Sequence, residues 1–337
     1  MQYLKRTGTI HSLLHHSFTT SVCVGAILLL TATINTHAQY IYTTLTVPGA
    51  YGTWANAISG NNIVGYYWTE SAEGSFLYNG SSYTTFTVPG AYGTYANAIS
   101  GNNIVGYQYN GGSTYGFLYD GSSFTTLKPP DATTSDAYGI SGNSIVGYYY
   151  NGSIGQGFLY NGSSYTALSV PGASSTEARG ISGNNIVGVY CYYPSGYSIY
   201  QGFLYNGSSY TTLSVPGAMY TLAYGISDNS IVGTYMTPSG DYHGFLYDGG
   251  SYTTLNVPGA TDTHAQGIDG NNIVGWYRDA SDNVYGFLAT LVPEPSALAF
   301  LSLGATAFLV RRRWPFVAAG ARRPRDERSG LTLARCL

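Results

Sequence analysis

The sequence predicts an all-β fold built from one repeated unit, and three observations carry that expectation. A motif of about 41 residues recurs six times. The proline of its Val-Pro-Gly segment falls at Pro48, Pro89, Pro130, Pro171, Pro216 and Pro258, with spacings of 41, 41, 41, 45 and 42 residues. The glycine of its Ile-Val-Gly segment falls at Gly65, Gly106, Gly147, Gly188, Gly233 and Gly275, with the same spacings. Second, glycine (45) and tyrosine (35) abound while charged residues make up only 9% of the chain, a composition of strands and tight turns rather than helices. Third, the first unit opens with the segment that closes every other unit, and the last unit stops short of it.

Each unit offers four short strands. In the first, Ala55–Ser59 begins the series and Gly60-Asn61 suits a tight two-residue turn, since both residues tolerate positive φ. Asn62–Tyr67 follows, then a variable polar loop, then Ser75–Tyr78. Asn79-Gly80 signals a hairpin and recurs as Asp120-Gly121, Asn161-Gly162, Asn206-Gly207 and Asp248-Gly249. Tyr83–Val88 makes the fourth strand, stopped by Pro89 because proline cannot donate to a ladder. The one long period absorbs its extra residues between Tyr190 and Gln201, which marks a loop. Ile58, Val64, Phe76 and Leu77 with their equivalents are the expected inter-unit core, and glycines such as Gly65 are expected to allow close packing or a bulge.

Four antiparallel strands in about 41 residues make a β-propeller blade. Tyr42–Val47 has the sequence of a fourth strand, whereas the last unit ends after Gly286–Ala289. An N-terminal strand that completes the last blade closes the ring and removes the free sheet edges. The prediction is therefore a six-bladed propeller over residues 39–291, with a β-solenoid or open repeat array as the alternative.

Charge and cysteine content exclude some functions. Residues 39–290 hold 13 acidic residues against Lys128, Arg179 and Arg278, so this region opposes nucleic-acid binding, which needs clustered cations. Of Cys23, Cys191 and Cys336, only Cys191 lies in the repeats, so no disulfide forms within them and a buried thiol is expected.

Both ends carry targeting patterns. Lys5 and Arg6 precede an apolar run from Ser21 to Ile34, and Thr36-His37-Ala38 sets small residues before a cut between Ala38 and Gln39. That is a secretory signal pattern over residues 1–38, with a retained anchor as the alternative. At the other end, Pro293-Glu294-Pro295 precedes an apolar run from Ser296 to Val310 and then Arg311-Arg312-Arg313, a cluster expected on the cytoplasmic side. Residues 292–313 resemble the PEP-CTERM sorting signal of Gram-negative bacteria. The resemblance implies an exosortase-type membrane protease as partner, transient anchoring in the inner membrane, and delivery to the cell surface or extracellular matrix. A plain C-terminal anchor is the alternative. Residues 314–337 continue as a basic tail, a departure from the family's usual short end.

The repeats over 40–290 resemble the extracellular HAF family. The matching segments are Phe-Leu-Tyr, Tyr-Thr-Thr-Leu-x-Val-Pro-Gly-Ala and Ile-Val-Gly-Tyr, with His243-Gly244-Phe245 nearest the naming motif. That resemblance implies secretion and fixes no activity.

Chemistry is sought where the copies disagree. The position before the Ala/Gly-Ile of the first strand holds Asn56, Asn97, Tyr138, Arg179, Tyr224 and Gln266. Two residues earlier stand Trp54, Tyr95, Asp136, Glu177, Leu222 and His264. If the first strand is innermost, i and i+2 share a face, and both sets ring one mouth of the channel as a collar for a sugar or peptide. Asp136, Glu177 and His264 are the candidates to converge as acid, base or metal ligands, the arrangement a carbohydrate-active enzyme would need. Glu70 and Glu73, like Asp279 and Asp282, read as solvated loop charges. No nucleophile-elbow, zincin or phosphate-cradling motif is present, and no cofactor or metal is implied. Asn79, Asn151, Asn161 and Asn206 match glycosylation sequons that the turns already explain, and Asp228 and Asp269 lack a calcium loop's spacing. Tyrosine runs at Tyr148–Tyr150 and Tyr190–Tyr193 suit contact with polysaccharide or surface proteins. The expected function is a non-catalytic exported repeat protein of adhesion or matrix assembly; a secreted carbohydrate-active enzyme is the alternative.

Overall fold

In the computed structural model the described residues are 39–70, 72–193 and 198–292. Ala38 and the signal segment, the Pro293-Glu294-Pro295 motif, the Arg311-Arg312-Arg313 cluster and the tail after it lie outside them.

The described residues form six four-stranded antiparallel blades. Blade 1 comprises Gly52–Ser59, Asn62–Trp68, Glu73–Tyr78 and Tyr83–Phe86. The six first strands lie innermost: Gly52–Ser59, Gly93–Ser100, Thr134–Ser141, Ser175–Ser182, Tyr220–Ser227 and Asp262–Asp269. Each neighbours the next, and the sixth neighbours the first, so they enclose a channel. Blade 6 supplies Asp262–Asp269, Asn272–Arg278 and Val284–Val292, and its fourth strand is the N-terminal Gln39–Leu45. That strand runs antiparallel to Val284–Val292, with Tyr42 opposite Ala289 and Leu45 opposite Gly286. The ring is thus closed by the chain's own first strand, as its sequence predicts. The closing strand lies at Gln39–Leu45 rather than Tyr42–Val47, and its partner is longer than Gly286–Ala289.

The core lies between blades. Phe76, Phe117, Phe158, Phe203, Phe245 and Phe287 are all fully buried, each an area loss that stabilises by about 1.5–3 kcal/mol. Val64 packs with Leu77 against blade 2, and Leu77 itself is only half-buried. Cys191 is a buried free thiol in the second strand of blade 4.

Local chemistry explains the connections. In the first hairpin only Gly60 has positive φ, at 58°, followed by Asn61 outside the left-handed region; this is the type II′ pattern. Asn79-Gly80 opens the expected hairpin. Tyr78 pairs with Tyr83, leaving a four-residue loop in which Asn79 Oδ1 accepts from the amides of Ser81 and Ser82. The fourth strand ends at Phe86, and beyond it Val88 N–H donates to Thr94 Oγ1 as the chain crosses to the next blade. The same bond recurs from Val47, Val170, Val215 and Val257.

Candidate ligand-binding site around the central channel

Every first strand carries a β-bulge at one place. The register slips between Ala55 and Ala57, between Ala137 and Gly139, and at the equivalent point of each other blade. The unpaired residue is the one at the variable position: Asn56, Asn97, Tyr138, Arg179, Tyr224 or Gln266. A bulge re-aims a side chain out of the ladder, and here all six reach the channel. The Ile-Val-Gly glycine makes the bulge possible. A Cβ on Gly188 would lie 2.0 Å from the Glu177 carbonyl oxygen, and one on Gly147 would lie 2.1 Å from that of Asp136.

These six side chains divide the channel. Above them is a chamber of about 320 Å³, also lined by Tyr66, Tyr107 and Trp276. Below is a space of about 100 Å³ walled by Ile58, Ile140 and their equivalents. Asn56 donates to the Ala96 carbonyl and Asn97 to the Ala137 carbonyl, both at 2.9 Å, so this side of the waist is stitched from blade to blade. On the other side Arg179 lies between two tyrosine rings, 4.1 Å from the Tyr138 centroid and 5.6 Å from that of Tyr224. Its guanidinium also makes a two-pronged ion pair with Glu177. Burial opposes the charge on Arg179, but Glu177 and the two tyrosines outweigh it and hold the pKa above its usual value. Burial also holds Tyr138 and Tyr224 above the usual phenol range, so both remain hydrogen-bond donors.

The second predicted set does not line the upper chamber. An inner propeller strand turns an edge, not a face, to the channel, so residues two before the bulge point between blades. Trp54 stacks on Tyr66 (centroids 4.9 Å, 6° apart), Tyr95 on Tyr107 (4.7 Å) and His264 on Trp276 (3.7 Å). Leu222 and Glu177 border a separate pocket between blades 4 and 5. Asp136 sits beside Tyr138, whose hydroxyl approaches its Oδ2 at 3.2 Å, and its Oδ1 is buried without a hydrogen-bond partner. Burial pushes the Asp136 carboxyl up, with Glu177's charge adding and Thr114, Tyr138 and Arg179 opposing. Burial, assisted by Arg278, pulls His264 down to about 3, so its imidazole is neutral at ordinary pH.

Asp136, Glu177 and His264 therefore do not converge. Among the described residues no three acidic, His or Cys side chains form a group able to hold a metal. Glu73 is no loop charge: it opens the third strand of blade 1 and accepts from the Tyr95 hydroxyl. Asp279 caps its own loop and Asp282 pairs with Arg278. Tyr66, Tyr107 and Trp276 were not singled out in the sequence, although their position after the Ile-Val-Gly glycine varies as Tyr, Tyr, Tyr148, Val189, Thr234 and Trp.

The upper end of the channel has an uneven surface. The stacked pairs belong to blades 6, 1 and 2, which are consecutive around the ring. Outward from them, at the start of the first strand and the end of the second, Tyr51, Trp68, Tyr92 and Tyr109 are exposed, Tyr92 at 75%. The equivalent positions in blade 4 are Ser174 and Cys191. In blades 1 and 2 the mouth is thus aromatic from rim to channel, whereas blade 6 has Thr261 and Arg278 at the rim positions; the far side, in blades 3 and 4, holds Arg179, Glu177, Asp136 and the tyrosine hydroxyls beside the exposed Tyr150 and Tyr200.

No family model matches the chain, and no curated protein matches it. Solved structures similar to it are propellers. A fungal lectin from Aleuria aurantia, described as a six-bladed β-propeller with a novel fucose recognition mode, is 14% identical over 76% of this chain and 100% of that one, with a TM-score of 0.47. SapL1 lectin in complex with alpha methyl fucoside is 14% identical over 73% of this chain and 98% of that one, with a TM-score of 0.49. The β-propeller domain of the Trilobed protease from Pyrococcus furiosus, with an open velcro topology, is 10% identical over 72% of this chain and 84% of that one, with a TM-score of 0.47.

Proposed function

We propose that the chain is a carbohydrate-binding propeller, exported and sorted to the cell surface or extracellular matrix, where it serves adhesion or matrix assembly. The observation that carries the binding reading is the split mouth of the channel. Aromatic faces suit the apolar face of a sugar ring, and fixed polar groups on the facing arc suit its hydroxyls. Binding is favoured over catalysis by the disposition of the acids: Glu177 is held by Arg179, and Asp136 stands beside Tyr138 outside the upper chamber's lining. Export and sorting rest on the signal pattern and on the resemblance to PEP-CTERM and HAF proteins, with an exosortase-type protease as the processing partner.

The test is co-sedimentation of the chain with a panel of bacterial exopolysaccharides, using wild type, Arg179→Ala with Tyr138→Ala, and Trp68→Ala with Tyr92→Ala. Each double variant is expected to weaken binding of the retained polysaccharide tenfold or more, about 1.4 kcal/mol. Unchanged binding in both, or no polysaccharide retained by wild type, rejects the reading.

A further inference from the structure

We infer that the pocket between blades 4 and 5 is a binding slot for a single aromatic ring of the phenol or indole type. The inference goes beyond the carbohydrate reading and does not depend on it. Its basis is a gap in a packing pattern that four of the six blades share; blade 5 also lacks the ring, with Thr234 there, but its side is occupied by Tyr242 against His264 at 5.3 Å. After the Ile-Val-Gly glycine, blades 1, 2, 3 and 6 place Tyr66, Tyr107, Tyr148 and Trp276. Tyr66 shows how such a ring is used: it stacks on Trp54 of its own blade and meets Tyr95 of the next blade edge-on at 5.3 Å. Blade 4 holds Val189 at this position, and across the interface Leu222 stands where Tyr95 stands. The missing ring leaves a cavity of about 270 Å³, bordered by Val189 and Leu222. That is several times the volume of one water.

The walls suit the same kind of occupant. Tyr200 and Tyr220, packed edge to face at 5.7 Å, and Tyr242 supply aromatic surface. In place of the stacked Trp54, the slot has the Glu177–Arg179 ion pair, whose guanidinium can lie against an aromatic face and whose carboxylate can accept from a phenol O–H or an indole N–H. Arg179 makes its longer ring contact on the blade 5 side, to Tyr224, which also lines the slot. The chain's own Tyr66 and Trp276 thus occupy, in other blades, the place that a ligand ring takes here.

The experiment titrates 4-methylphenol and 3-methylindole into the full chain by ligand-observed NMR, with methyl glycosides as competitors, in wild type, Val189→Tyr and Val189→Leu. Wild type is expected to bind the aromatic probes saturably and to keep them in the presence of the glycosides. Val189→Tyr fills the slot with the chain's own ring and is expected to weaken binding at least tenfold. Val189→Leu fills it partly and gives an intermediate loss, which keeps the test decisive if the tyrosine variant folds poorly. No saturable binding by wild type, equal binding in Val189→Leu, or displacement by a glycoside overturns the assignment. Polysaccharide retention measured on the same variants separates this result from the channel-mouth reading, because Val189 does not line the upper chamber.

Discussion

His264 shows what one substitution in a repeated position does. Its ring lies 3.7 Å from Trp276, and Nδ1 is 3.3 Å from Thr234 Oγ1. Burial disfavours the imidazolium, and Arg278 adds to the effect, bringing the pKa to about 3 from the usual 6.5. Stability from this group is therefore full above the unfolded pKa and is lost as pH falls from about 6.5 towards 3, because the unfolded chain takes the proton first. Allowing for the ring's partial exposure, the loss at pH 4 is on the order of 1–2 kcal/mol. Asp136, with its carboxyl pushed up, works in the opposite direction, so the comparison must be with a matched variant. Thermal melts of wild type and His264→Gln from pH 4 to 8 should show the stability gap between them shift in favour of the glutamine variant as pH drops; a constant gap refutes the account. At this scale the sequence showed which positions vary, and six of those reach the channel. It concealed that His264, Trp54 and Tyr95 stand between blades, because alternation along a strand does not tell an edge from a face.

The recurring hairpin with its bulge is the element that aims the site. Its glycine is readable as a demand for space, and the structure supplies the reason: the carbonyl two residues before the collar residue lies where a Cβ would be. Gly188→Ala should therefore push the Glu177 carbonyl away, shift Arg179 out of its tyrosine sandwich and destabilise the fold by about 2–4 kcal/mol. For a domain of this size that is a fall in melting temperature of roughly 4–16 °C. A variant that melts within a degree of wild type contradicts the bulge argument. The same close reading explains a departure in blade 3. Pro129 stands where other copies have valine and has no N–H to give, and the partner position changes from threonine to Ser135. Ser135 Oγ instead donates to the Leu127 carbonyl and accepts from Gly116 N–H. The four-residue Asn-Gly loops were legible as hairpins from Asn-Gly between two strand patterns, but the carboxamide's bonds to the following amides appear only in three dimensions.

At the scale of the whole molecule, the ring depends on a strand that is remote in sequence from its partner. Gln39–Leu45 covers the outer edge of Val284–Val292, Tyr42 packs edge-on against Phe287 at 5.7 Å, and Leu45 and Val47 enter the core of blade 1. The closure was readable from the order of segments alone, since a fourth-strand sequence precedes the first blade and is missing from the last. A second tie crosses the same seam on the lower face, where Asp269 Oδ2 accepts from Gly60 N–H at 2.6 Å; between blades 4 and 5 a serine, Ser182, plays that part. Removing residues 39–45 should leave Phe287 and Ala289, both fully buried in the intact ring, beside an unpaired edge. Blade 6 then has three strands, and its exposed edge invites pairing with another copy. The truncated chain is expected to run partly as dimers and larger species on size-exclusion chromatography and to lose a single cooperative melt. A synthetic peptide with the sequence of residues 39–47 should restore the monomer and raise the melting temperature, because it supplies the missing strand in the native register. A scrambled peptide should do neither. If the truncated chain stays monomeric and melts like wild type, the N-terminal strand is an ornament on a ring held by its inner strands, and the lower-face ties such as Asp269 to Gly60 carry the closure instead.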